Sequence, residues 1–204
     1  MDDTNNIREY NTSSQNGVAG ESVNQQAQEW TDKGNSAAEA GDYETAAEAF
    51  ERAIEANPGD GRARYNLALA QQYLGDLENA ISGYQRAIDI DPGLIDAYIN
   101  LGNLYGEIGM SEESLETFQQ ALEYDPDNDA LYLSIADTYR AQYLYQDAIQ
   151  NYRQAIIINP ENTVAADNLA DVRERVNTQL RRVMEQEKRI DEVPDDTSRY
   201  GELV

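Results

Sequence analysis

Prolines stand at Pro58, Pro92, Pro126 and Pro160, one every 34 residues. A proline has no backbone N–H and its ring clashes with the preceding helical turn, so a periodic proline marks a periodic helix stop. A period in this range constrains the fold more than any composition does: it is the signature of a stacked repeat. Laid out at that interval, the chain gives four units, 27–60, 61–94, 95–128 and 129–162, and each column repeats a chemical type.

Ala53, Ala87, Ala121 and Ala155 share one column, and Phe50, Tyr84, Phe118 and Tyr152 another. Ala46, Ala80, Ser114 and Ala148 form a third, Gly34, Ala68, Gly102 and Ala136 a fourth. Small residues at one phase let two helices approach closely, and the aromatic column supplies the buried area that holds them. Gly41, Gly75 and Gly109 fall midway, where a left-handed residue ends a first helix. Tyr143 takes that place in the last unit, and the expectation is a turn of different conformation there. Each unit reads as helix, tight turn, helix, proline stop.

These residues resemble the tetratricopeptide repeat. The third unit carries Tyr98-x-x-Leu101-Gly102-x-x-Tyr105, then Ser114-x-x-x-Phe118, Ala121 and Pro126, while the first is more degenerate, with Trp30 and Gly34 but Lys33 and Ala37 between and after them. The resemblance implies an all-α right-handed superhelical solenoid of four helix-turn-helix hairpins. Residues 163–190 run on without proline, with Leu169, Val172, Val176, Leu180 and Val183 at three- and four-residue steps. They read as a helix that caps the last hairpin, because a stack needs an end with a polar outer face. Leu169, Val176, Val183 and Ile190 also recur by sevens, a weak coiled-coil seam interrupted by Gln179 and Gln186. Residues 1–26, rich in Asn, Ser, Gln and Gly, read as a disordered arm, and 191–204 as an acidic tail.

Composition removes most chemistry. The chain has no cysteine and no histidine, so disulfides, thiolate catalysis, the commonest metal ligand and the usual general base are all missing. Asp125-Pro126-Asp127-Asn128-Asp129 begins like a calcium loop, but Ala130 stands at the turn glycine and Ala136 at the bidentate glutamate, so no metal and no cofactor is expected. The opening residues are acidic without an apolar run, and no stretch reaches the roughly 20 apolar residues of a membrane span, so the reading is a soluble cytoplasmic protein. The net charge is −24; the four units hold 25 acids against seven bases. Such a surface disfavours nucleic acid and anionic membrane as partners. Whether the acidity is salt adaptation or steering of a basic partner stays open.

In the family that the chain resembles, first helices line a concave groove. Carried over by phase, the groove columns contain Asn66, Asn100, Ser134 and Asn168; Tyr65, Ile99 and Leu133; and Asn35, Leu69 and Asn103. A carboxamide both donates and accepts, so a ladder of asparagines suits the backbone of an extended peptide. Repeat duplication of a helix-surface residue accounts for the column equally well. Beside it Tyr65, Leu69, Tyr73, Ile99 and Leu133 would form an apolar stripe. Chaperone-binding members hold a carboxylate with two asparagines and three bases; Asn35 and Asn66 match, but the basic places are Thr31, Asp96 and Asn100. The expected function is therefore a non-catalytic interaction scaffold binding a protein or peptide segment with apolar anchors. Self-assembly into homo-oligomers, by stacking or through the C-terminal helix, is the alternative.

Overall fold

The computed structural model describes residues 23–191, and every regular element among them is an α-helix. Helix α1 spans 23–39, α2 Tyr43–Ala56, α3 Gly61–Tyr73, α4 Leu77–Ile90, α5 Ile95–Glu107, α6 Ser111–Tyr124, α7 Asp129–Ala141, α8 Tyr145–Ile158 and α9 Thr163–Asp191. The predicted N-terminal arm and acidic tail lie almost wholly outside the described residues; α1 begins at 23, inside the predicted arm. The chain divides into two compact units, through Pro126 and from Asp127.

Sequence chemistry sets the helix ends. Asp42, Asp60, Asp76 and Asn128 each accept the backbone N–H three residues on, satisfying a donor that the first turn leaves orphaned. After each second helix comes a proline, preceded by Asn57, Asp91, Asp125 or Asn159. The side chains of Asn57, Asp91 and Asn159 accept the N–H two residues on, which folds the connection into a tight turn.

The turn inside each hairpin corrects one expectation. Gly41, Gly75 and Gly109 have φ of 79°, 80° and 83°, and Tyr143 follows them at 61°. The same closing bond recurs in all four: Asp42 N–H to Ala37 O, Asp76 to Gln71, Met110 to Tyr105 and Leu144 to Tyr139. The fourth turn thus keeps the conformation of the others and forces a tyrosine into it. Closing the helix end outweighs the cost of the side chain.

In the first unit the core is built from the predicted columns. Ala46 and Phe50 pack with Ala70, and Ala80, Tyr84 and Ala87 pack with Ala68, Ala97, Leu101 and Leu104. In the second unit Ala136, Ala148, Tyr152 and Ala155 meet Ala165, Leu169 and Val172 of α9. Residues of α9 thereby fill the place that another repeat's first helix would take.

Candidate functional site

The first-helix faces of the first unit bring polar and apolar groups together. Asn66 of α3 donates through Nδ2 to Asn35 Oδ1 of α1 at 3.1 Å, and Asn100 of α5 donates to the Tyr65 hydroxyl of α3 at 3.0 Å. Both bonds cross from one hairpin to the next. Tyr65 is half-buried against the Tyr84 ring, centroids 5.8 Å apart. Burial, reinforced by the Asp96 carboxylate, pushes its hydroxyl pKa up, so it stays a neutral acceptor for Asn100.

Next to the Asn35–Asn66 bond lies a cavity of about 370 Å³ between α1, α2 and α3. Phe50, Leu69, Ala38 and Ala70 make it apolar; Asn35, Asn66 and Glu39 are its polar groups. Tyr43 and Tyr73 also line it, with rings stacked at 4.3 Å. Tyr73 is 62% exposed, an unusual place for an aromatic.

The structure places each predicted residue on a first helix or on α9. It gathers Asn35, Asn66 and Leu69 around this cavity and joins Tyr65 to Asn100. Ile99 is half-buried and Asn103 exposed on α5. In the second unit Leu133 packs against the core, the Ser134 carbonyl accepts the Thr138 hydroxyl, and Asn168 donates to Asp137 Oδ1 at 3.1 Å. Asp137 Oδ1 also takes the Tyr152 hydroxyl and Arg140. Asn66, Asn100 and Asn168 therefore each bond through a side-chain amide to the preceding first helix. Asn66, which uses one N–H on Asn35, borders an open cavity.

Sequence reasoning missed Ala38, Glu39, Tyr43, Phe50 and Ala70 as cavity residues. The available signal was Tyr43 itself, an aromatic in a column otherwise holding Leu77, Ser111 and Tyr145. Among the described residues no group of acids is placed to hold a metal ion, and no helix is long and apolar enough to cross a membrane. Asn159 and Asn162 donate to Asp129 Oδ2, which ties that carboxylate into the turn.

Residues 31–95, 95–128 and 130–162 each match a model of the tetratricopeptide repeat. The chain belongs to the tetratricopeptide repeat family, whose members generally mediate protein–protein interaction on a fold that is typically non-catalytic. Among solved structures it is similar to YrrB, described as a TPR protein with an unusual peptide-binding site. That match has 25% identity, 70% of this chain, 73% of YrrB and a TM-score of 0.61. It is also similar in fold to MamA, at 18% identity, 83% of this chain, 96% of MamA and a TM-score of 0.64. A MamA fragment from Desulfovibrio magneticus RS-1 aligns at 17% identity over 80% of this chain and 96% of the fragment, with a TM-score of 0.66. No curated protein matches the chain.

Proposed function

We propose that the chain is a non-catalytic interaction scaffold that takes a peptide-like segment of a partner along its first helices, anchored in the cavity beside Tyr43 and Tyr73. The cavity carries the reading. Its apolar lining of Phe50, Leu69 and Tyr73 suits an aliphatic or aromatic side chain, while Asn35 and Asn66 offer amides to the adjoining backbone. Stacked, partly exposed tyrosines give large contact area at little conformational cost, as recognition aromatics do. YrrB, similar in fold, is described as having a peptide-binding site, which supports the same use of the surface here. More acids sit on second helices, such as Glu48, Glu51, Glu112 and Glu116, than on first helices, which favours apolar and amide-based anchoring.

The test is capture from native lysate with the full chain and with Tyr73→Ala, each at low and high salt. A discrete partner retained at high salt by the parent chain and lost by the variant supports the proposal. Partners that bind both chains equally, or that all leave with salt, overturn it.

A further inference from the structure

Helix α9 is 29 residues long, whereas α2 through α8 have 13 or 14. Its inner stripe, Ala165, Leu169 and Val172, is at most 7% exposed where it packs against the α8 hairpin. The same stripe continues at helical spacing through Val176, which is half-buried, to Leu180 and Val183 at 56% and 44% exposure. Every described side chain from 177 to 189 is exposed. A helix without tertiary packing is marginal in water, so an apolar face that simply runs on past its support is a face lacking its partner.

Charge says what covers it. Residues 173–189 hold six bases and three acids, a net +3 in a chain of −24. Arg181 and Lys188 flank the stripe on one side, Arg182 and Arg189 on the other, each more than a quarter-turn of helix from it. The matching surface is on the first unit of the same protein. Between α4 and α6, over α5, a shallow cavity of about 250 Å³ has the half-buried Ile88 at its edge, the buried Leu101 and Tyr105 at its floor, and Asp89, Glu113 and Glu116 as acids. None of these three carboxylates is in an ion pair among the described residues.

We infer that the free half of α9 docks on the acidic groove between α4 and α6 of a second copy, so that the protein associates head to tail. Leu180 and Val183 lie over the half-buried Ile88, and the bases on the two flanks of the stripe face Asp89 on the α4 wall and Glu113 and Glu116 on the α6 wall. Two unlike surfaces joined this way do not close into a symmetric dimer, and the assembly grows with concentration. This contact uses neither the Tyr43–Tyr73 cavity nor the asparagine column, so it stands or falls separately from peptide binding.

Sedimentation of the full chain over a wide concentration range, at low and high salt, tests it. The expected result is a mass that climbs past the dimer at low salt and falls at high salt. Reversing Arg181 and Arg182 to Glu, or Glu113 and Glu116 to Lys, should weaken association about tenfold in each case, with helix content unchanged. Mixing the two reversed chains should restore it, a rescue that misfolded variants would not show. A monomer at all concentrations overturns the inference, whether or not it binds anionic vesicles. So does a closed dimer, or association indifferent to both reversals.

Discussion

The Tyr43 and Tyr73 rings lie parallel, centroids 4.3 Å apart with 8° between their planes, and bridge the start of α2 to the end of α3. The pair links two successive hairpins at the edge of the candidate anchor cavity. A stacked pair of this kind contributes about 0.5–1.5 kcal/mol beyond the area it buries. A double-mutant cycle with Tyr43→Ala and Tyr73→Ala should return a coupling in that range by denaturant melts. If the two losses simply add, the rings are neighbours without mutual stabilisation.

A second relationship runs through the small-residue and aromatic columns. Gly34 and Gly102 lie under Phe50 and Phe118, and a Cβ at either glycine would meet the ring at 2.6 Å and 2.5 Å. Phe118 is fully buried. Where the column holds Ala68 or Ala136, the aromatic is Tyr84 or Tyr152, whose hydroxyls bond to Gln72 and Asp137. Gly102→Ala should therefore destabilise by about 1–3 kcal/mol by overpacking, although alanine is the better helix former by about 1 kcal/mol. Thermal melts that show a gain would mean that Phe118 yields to the methyl group.

The left-handed Tyr143 gives a prediction of opposite sign. Its φ of 61° sits where three sibling turns use glycine, and its side chain is 77% exposed, touching Tyr145 edge-on. Tyr143→Gly should stabilise by about 0.5–1 kcal/mol, the relief of left-handed strain less the extra freedom of glycine in the unfolded chain. A lower melting temperature would show that the Tyr145 contact outweighs the strain.

The repeat itself was fully legible in the sequence, because proline, small and aromatic columns each obey the 34-residue interval. What the columns could not show is how they couple. The Gly–Phe and Ala–Tyr alternation was present in two separate columns, yet only packing reveals that one residue lies on the other. The asparagine column was visible too, but its role depends on neighbours in the adjacent hairpin: Asn35 for Asn66, Tyr65 for Asn100, Asp137 for Asn168. Tyr43 and Tyr73 fall in different columns, so no periodicity pairs them. At Tyr143 the identity of the residue suggested a change of turn, whereas the backbone bonds of the helix end decided its conformation.

Alkaline pH should act through the buried tyrosines. Burial first, joined at Tyr84 by the neighbouring Tyr65 and at Tyr152 by the hydrogen bond to Asp137, raises both hydroxyls well above their ordinary value of 10.0. A group raised in the folded state contributes stability that is complete below its unfolded value and is lost as pH rises above it. The melting temperature should thus hold up to about pH 10 and fall beyond it, and Tyr84→Phe should flatten that fall. An unchanged slope in the variant would assign the alkaline loss to other groups.

The peptide-binding reading is tested most directly by selecting binders from a random peptide display library with the full chain and titrating one into the labelled protein by NMR. The account predicts shifts concentrated on Asn35, Glu39, Asn66, Leu69 and Tyr73, the residues that meet at the cavity of α1, α2 and α3. No selectable peptide, or shifts confined to α4 and α6, would contradict it.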